Sequence, residues 1–237
     1  RDEKGIAKCL NNLALSYKAM DRYEKSYETG KLSVKIFEGL EMYHSIGRAL
    51  IVMGESLMYL RKYEKAINTL NRGKEITKKL NDTLGLGKIL QIMGMVNYEE
   101  GKWAKAIDYY NDALEQFELA EFKTAIAEVR FQTAQAYLKI ENYINAKNLF
   151  NKGMRFLDSS EDEFSLQYTK VYIMYAEVKE DSLNKVSANE LLGKLKILDG
   201  ENRKELAIMA EFHFILYKIY TYLEESQIAR GMGKKTQ

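Results

Sequence analysis

The stretch LQIMGMVNYEEGKWAKAIDYYNDA, residues 90–113, contains a small residue, an aromatic residue nine positions later and a second small residue three positions after that. These residues are Gly94, Trp103 and Ala106. The same triplet occurs three more times at a constant spacing of 40 residues: Ala14, Tyr23 and Ser26; Gly54, Tyr63 and Ala66; Ala134, Tyr143 and Ala146. A period of about 20 to 50 residues is typical of a solenoid of stacked supersecondary elements. Such a fold is more often a binding surface than a pocket for chemistry.

Each repeat has the pattern of two helices joined by a short turn. In the second repeat, four apolar residues lie along one stripe of a helix: Leu50, Met53, Leu57 and Leu60. Residues 60–63 are predicted to form the turn that leads into the second helix. Proline is absent and glycine, at 15 residues, is near its average frequency, so helix-breaking residues are scarce. We therefore predict an all-α protein built of antiparallel helix pairs.

The pattern resembles the tetratricopeptide repeat, in which a helix pair carries Leu, a small residue and Tyr, then Ala, an aromatic residue and Ala at set offsets. The third repeat has the best match, at Leu90, Met93, Gly94, Asn97, Trp103, Ala106, Tyr110 and Ala113, with Asn97 where Tyr is usual. The resemblance implies a right-handed superhelical solenoid of antiparallel helix pairs.

The length of the repeat indicates which tetratricopeptide repeat proteins the chain resembles. The common tetratricopeptide unit has about 34 residues, whereas this one has about 40. Helix pairs of the longer kind resemble those of the Gram-positive peptide-pheromone receptors, including the Rap regulators and related transcription factors. Kinesin light chains and animal scaffold proteins that orient the spindle also use units of this longer kind.

We expect one array over residues 1–230. Its parts are four clear repeats at about 5–44, 45–84, 85–124 and 125–164, a degenerate fifth at about 165–200, a helix at about 203–226 and a flexible tail at 231–237. The last helix is apolar almost all round, which suggests that it covers the end of the array or forms a homodimer.

The chain opens on Arg1 without Met, so we expect a fragment. One hypothesis places DNA-binding helices before it.

Composition and residue spacing argue against several functions. Lys plus Arg number 36 and Asp plus Glu 34, so binding of nucleic acid by this segment has little electrostatic support. Cys9 is the only cysteine, which excludes an intramolecular disulfide. His44, placed in a loop between repeats, and His213 lack partners at metal-ligand spacing. Residues 85–88, also predicted to be a loop, lack the remaining glycines of a phosphate-binding loop.

The same observations predict a protein without catalytic activity, metal or cofactor. No apolar run approaches the roughly 18–20 residues that a membrane span needs, and no secretory signal follows Arg1. We therefore expect a cytoplasmic protein that does not bind membranes.

The resemblance also implies a concave groove lined by the first helix of each repeat. Inward side chains would stand at the second, fifth, ninth and twelfth places of each unit, where the twelfth place holds Lys18, Met58, Tyr98 and Leu138. The candidate binding residues are Lys8, Asn11, Lys18, Arg48, Glu55, Lys88, Gln91, Met95, Tyr98, Phe131 and Gln135.

Three of these candidates, Lys8, Arg48 and Lys88, hold the same place in the first three repeats and form a basic ladder that would suit the carboxylates of an extended peptide. Amide side chains among the candidates could pair with the peptide backbone, and the aromatic and methionine side chains could form apolar pockets. The alternative is that these positions are ordinary solvated polar residues.

We predict a non-catalytic module that captures a peptide or a partner helix in this groove. The resemblance implies the sensing part of a bacterial signalling or transcription regulator. The alternative is a constitutive scaffold for protein assembly that has no signalling peptide.

Overall fold

The computed structural model describes residues 2–155, 163–180, 183 and 215–224. Within these ranges nine helices have defined bounds: α1 (Glu3–Ala19), α2 (Tyr23–Gly39), α3 (Tyr43–Tyr59), α4 (Tyr63–Lys79), α5 (Thr83–Glu99), α6 (Trp103–Leu119), α7 (Lys123–Lys139), α8 (Tyr143–Met154) and α9 (Glu163–Lys179). Residues 215–224 are also helical. The described residues contain no strand, and the predicted all-α class is confirmed.

One type of turn connects the first eight helices. Helices α1 to α7 are each 17 residues long, and their first residues are evenly spaced along the chain. After each of them, one residue takes a φ between 51° and 74°: Asp21, Glu41, Arg61, Asn81, Gly101, Glu121 and Glu141. The next N–H then bonds to a carbonyl five residues back, as from Arg22 to Tyr17 at 2.8 Å. This geometry satisfies the last helix carbonyls and reverses the chain direction.

The structure corrects two loop predictions. His44 lies in the first turn of α3, and residues 85–88 lie within α5, where the Gly85 N–H donates to Asp82 Oδ1 at 2.8 Å. His44 was predicted to lie in a loop between repeats, and residues 85–88 in a loop at the start of a helix. The connections are in fact equal in length, and the turn predicted at residues 60–63 is confirmed.

The chain divides into two compact units, residues 1–136 and 137–237. In the first unit α1 packs against α2, α3 against α4, and α5 against α6, while α2 and α4 also contact α3 and α5. One apolar cluster joins Leu57, Leu70 and Met93, so side chains from α3, α4 and α5 share a core. Each helix pair is therefore stabilised by the next pair.

In the second unit α8 packs against α9, where the rings of Phe150 and Tyr172 stack at a centroid distance of 5.4 Å. Along residues 215–224, one face is buried at Ile215, Ile219 and Leu223. The second helix predicted for the fifth repeat, residues 203–214 of the predicted last helix and the predicted tail at 231–237 lie outside the described residues. The repeat boundaries given above stay a prediction.

Small residues allow the helices of a pair to approach closely. Ser26 on α2 donates a hydrogen bond from Oγ to the Ala14 carbonyl on α1 at 2.8 Å. At Gly94 on α5, a Cβ atom would lie 2.5 Å from Cδ1 of Tyr110 on α6. Glycine at position 94 therefore leaves the space that the buried Tyr110 ring occupies.

Gly94→Ala is expected to lower the free energy of unfolding by about 1–2 kcal/mol. The added methyl group overlaps the Tyr110 ring, and this overpacking outweighs the gain in helix propensity of about 1 kcal/mol. Gly39→Ala is the matched control, because a Cβ at Gly39 meets nothing within 4 Å, and it should be neutral or slightly stabilising. Urea denaturation followed by circular dichroism measures both; equal stabilisation by the two substitutions would contradict the packing role of Gly94.

Candidate functional site

Polar contacts join the first helices of neighbouring repeats in the first unit. Lys18 on α1 forms an ion pair with Glu55 on α3, with an Nζ–Oε2 distance of 2.5 Å. Gln91 on α5 donates from Nε2 to Oε1 of Gln132 on α7 at 3.0 Å. Three of these four residues, Lys18, Glu55 and Gln91, are candidate groove residues. The two contacts bring α1 beside α3 and α5 beside α7.

A cavity of about 370 Å³ lies among the helices α3 to α7. It is lined by Met58, Tyr59, Arg61, Tyr63, Met95, Tyr98, Glu99, Tyr110, Gln132 and Gln135. Its volume is near the lower end of the range for small-ligand sites, about 300–1,000 Å³. A space of this size can hold one or two side chains of a peptide.

The cavity brings together some of the candidate residues and adds others. Met95, Tyr98 and Gln135 were candidates, and Met58 was predicted to face inward. The sequence-based selection missed Tyr59, Arg61, Tyr63, Glu99, Tyr110 and Gln132. Tyr59 and Glu99 directly follow the twelfth places of their helices, so a broader inward face would have included them. No pattern in the first helices could have found Tyr110, since it stands on α6.

The three residues of the predicted basic ladder have different surroundings. Lys8 and Arg48 are exposed, and within the described part of the chain they make no hydrogen bond or ion pair. The Lys88 ammonium lies over the Phe122 ring, 6.0 Å from its centroid. Its charge also favours the ionised form of Glu128, which follows the ladder on α7. The ladder therefore ends beside an acidic group.

Two further candidates lie outside the cavity lining. The amide oxygen of Asn11 on α1 is buried and accepts no hydrogen bond from the residues that the structure describes. Phe131 on α7 is partly buried. Neither residue lines the cavity, and their predicted role in ligand binding stays a prediction.

The carboxyl group of Glu128 is held in a network of amide side chains. Gln132 donates from Nε2 to Oε1 of Glu128 at 3.3 Å, and Gln91 in turn donates to Gln132. Although Glu128 is exposed by its accessible surface, the protein atoms around its carboxyl group desolvate it, and this raises its pKa. Hydrogen bonding by the neighbouring amide side chains opposes the shift, whereas the charge of Glu55 adds to it.

The phenol of Tyr59 also lies near the carboxylates of Glu55 and Glu128. Burial raises its pKa, and the nearby charges of Glu55 and Glu128 raise it further. Its ring stacks on Tyr23 with a centroid distance of 4.5 Å. Tyr23 donates its hydroxyl proton to Asp21 Oδ1 at 2.6 Å, and this hydrogen bond is the main reason that the pKa of Tyr23 is raised to about 12. Tyr59 therefore brings to the cavity a phenol that lies near carboxylates, while the lining itself holds both Glu99 and the cation Arg61.

The structure holds few features of other kinds of site. Among the described residues, no group of three or more His, Cys, Asp or Glu side chains could hold a metal ion. No helix in the described ranges is long and apolar enough to cross a bilayer.

Comparison with known proteins identifies the repeat. Residues 86–159 match the family model described as the tetratricopeptide repeat. No curated protein matches the chain in sequence. Similar solved structures include a signal transduction ATPase with numerous domains (STAND protein) with a tetratricopeptide repeat sensor from Pyrococcus horikoshii, at 17% identity and a TM-score of 0.71 over 97% of this chain and 37% of that one.

Two Rap structures are similar as well. A Rap protein complexed with competence and sporulation factor has 17% identity and a TM-score of 0.67, covering 96% of this chain and 60% of its own. The Rap conjugation gene regulator of plasmid pLS20, in complex with the Phr* peptide, has 15% identity and a TM-score of 0.64, covering 97% and 65%. The chain thus spans 37% to 65% of the length of these three proteins. The predicted tetratricopeptide-like solenoid and its similarity to Rap structures are confirmed.

Glu128→Gln is expected to raise the melting temperature at pH 7. Because the pKa of Glu128 is higher in the folded than in the unfolded protein, the folded state binds more protons, and stability falls as the pH rises through the interval between the two values. Glutamine carries no charge and retains an acceptor for Gln132. The difference from the wild type should disappear below about pH 4, where the glutamate is protonated in both states.

Thermal denaturation at the two pH values tests this prediction. Glu115→Gln is the control, since Glu115 is exposed on α6 and makes no hydrogen bond or ion pair with the described residues. An equal effect of the two substitutions at pH 7 would contradict the desolvation of Glu128.

Proposed function

We propose that this tetratricopeptide repeat protein is a non-catalytic module that binds a peptide or a protein segment in the groove of residues 1–136. The main support is the cavity of about 370 Å³, whose lining comes from five consecutive helices. A ligand in this cavity would contact three neighbouring repeats at once. It would therefore be sensitive to the angle between them, which is how a solenoid can convert binding into a change of shape.

The chemistry of the lining suits an extended peptide. The thioethers of Met58 and Met95 and the ring of Tyr98 offer apolar contact to a side chain. Gln132 and Gln135 carry both donors and acceptors, which can pair with a peptide N–H and C=O. A lining of this composition supports recognition through one anchored side chain and the adjoining backbone.

The charges favour a particular orientation of the peptide. The carboxylates of Glu99 and Glu128 raise the pKa of Tyr59, so a cationic group on the ligand would be attracted to them even though Arg61 also lines the cavity. The exposed cations Lys8 and Arg48 would suit an acidic side chain or a terminal carboxylate. We therefore propose a peptide with a basic residue in the cavity and a negative group toward α1.

The finer proposal is that the chain is the sensing part of a bacterial signalling or transcription regulator. Its support is the similarity to a Rap protein complexed with competence and sporulation factor and to a Rap regulator complexed with the Phr* peptide. The alternative is a constitutive scaffold that binds one partner protein without a signalling peptide. Native mass spectrometry of protein purified from its own host separates the two, because a sensor would retain a short peptide and a scaffold one larger chain.

Selection from a random heptapeptide library is the direct test. The wild-type protein should enrich peptides with Lys or Arg at one fixed position, and Tyr98→Ala should weaken their binding about tenfold by removing the apolar contact. Leu119→Ala is the matched control, since Leu119 is an exposed apolar residue on α6 outside the cavity. Absence of enrichment, or an equal loss in both variants, would contradict the assignment of the cavity.

A pair of charge reversals tests the proposed orientation. Glu128→Lys should remove the preference for a basic residue, and Arg48→Glu should remove the preference for an acidic group. If the enriched sequences are unchanged by both, the orientation is wrong even where the cavity assignment holds.

A further inference from the structure

Two charged side chains of opposite sign line the cavity without forming an ion pair. Arg61 follows α3, and Glu99 is the last residue of α5. Both residues are exposed, and their side chains make no ion pair or hydrogen bond with each other or with the rest of the described chain. A ligand in the cavity therefore meets both a guanidinium and a carboxylate that are free to bind it.

The residue next to each of them is used differently. Lys62 forms an ion pair with Glu24 on α2 at 2.8 Å. Glu100 forms an ion pair with Lys102 in the same turn at 3.1 Å. At both turns, one charged residue thus forms an ion pair within the protein, and its neighbour in the sequence lines the cavity.

Arg61 also differs from the corresponding residues of the other turns. Among the seven left-handed residues that follow α1 to α7, Arg61 is the only cation, and the others are acidic residues, Asn81 and Gly101. The left-handed region favours glycine, asparagine and aspartate, so the backbone conformation does not account for an arginine. Lys62 already places a cation at the C-terminal end of α3, where positive charge is favoured. A residue that departs from local preference beside a cavity is typical of a functional position.

We infer that Arg61 and Glu99 select a peptide that carries a carboxylate and a cationic side chain on the same face. The guanidinium of Arg61 would bind the carboxylate through two parallel hydrogen bonds, and Glu99 would bind the cation. Because the two residues are too far apart to pair with each other, a ligand with both charges can bridge them. This selectivity rests on the proposed binding of a peptide in the cavity, and it adds a carboxylate next to the basic residue.

The common cavity determines the spacing of the two groups in the peptide. Successive side chains of an extended chain point to opposite sides, whereas side chains two residues apart lie on the same side, about 6.6–6.8 Å from each other. Groups that enter one cavity from an extended peptide are therefore two residues apart. The carboxylate is that of an acidic side chain or of the C-terminus, since both offer the same pair of oxygen atoms.

A library of heptapeptides with blocked ends tests the selectivity. Each peptide is acetylated and amidated, has Arg at its fourth position and is random elsewhere. The wild-type chain should enrich Asp or Glu at the second or the sixth position. Arg61→Glu should abolish this enrichment, and the fold should tolerate it because Glu41 takes the same backbone conformation. Arg22→Glu is the matched control, since Arg22 is an exposed arginine of the turn after α1 and lies outside the cavity lining.

A double-mutant cycle with the most enriched peptide isolates the contact. Arg61→Asn should weaken the acidic peptide about tenfold and leave unchanged a copy in which the acidic residue is replaced by its amide. Asparagine fits the turn, as Asn81 shows at the corresponding place after α4. Salt should weaken binding of the acidic peptide to the wild type more than to the Arg61→Asn variant, because exposed charges are screened.

A charge exchange and a second library complete the test. Arg61→Glu combined with Glu99→Arg should move the preferred acidic residue to the other side of the fixed arginine. In the second library the chain ends two residues after that arginine with a free carboxylate. Binding that depends on Arg61 in this library alone would identify the carboxylate as a C-terminus.

The outcomes separate this inference from the proposed function. Enrichment without a carboxylate two residues from arginine in either library, or equal effects of Arg61→Glu and Arg22→Glu, would overturn the selectivity. If Tyr98→Ala still weakens binding in that case, the proposed function holds without it. A wild-type chain that enriches no peptide from any library would contradict both.

Discussion

Each of the first seven helices is followed by one residue in the left-handed region, and this backbone constraint sets the spacing of helices α1 to α8. Six of these seven residues are not glycine, so the conformation costs roughly 1–2 kcal/mol at each turn unless local hydrogen bonds offset it. The backbone bonds across the turn, such as Lys62 to Leu57, supply that compensation. Because each helix and its turn always take the same length of chain, side chains at the same place of successive repeats are structurally equivalent.

Helix packing and the candidate site share residues in the first unit. Tyr110 fills the space beside Gly94 and also lines the cavity. A larger residue at position 94 would displace the ring that forms part of the cavity wall. The small residue that lets α5 and α6 approach therefore also determines the shape of the candidate site. In a close-packed interior, a change at such a contact is transmitted to its neighbours.

The first helices of the repeats carry both signs of charge at separate places. Lys18 and Glu55 neutralise each other across α1 and α3, while Lys8 and Arg48 stay exposed. Glu128 is desolvated and keeps a raised pKa despite the nearby Lys88. Opposite charges at a distance from each other favour one direction of a bound peptide over the reverse, because the wrong direction brings like charges together. These charges are thus expected to contribute more to the specificity of peptide binding than to its affinity.

Repetition along the chain was sufficient to predict the helix pairs and their period. Amphipathic spacing is a local property of the sequence. The triplet of Gly94, Trp103 and Ala106 marks the place where two helices approach each other closely. The same information predicted that Met95, Tyr98 and Gln135 face inward, and these residues line the cavity.

Other features depend on contacts between residues far apart in sequence. Side chains from five helices meet at the cavity, and Tyr110 reaches it from a second helix. The left-handed turns at Glu41 and Asn81 have no glycine to mark them. Leu13 and Met53 occupy equivalent places, yet Leu13 is 42% exposed and Met53 only 6%, because α2 covers one of them and no described helix covers the other. Burial is a property of the neighbours that a side chain acquires on folding, and a periodic pattern assigns the same neighbours to every repeat.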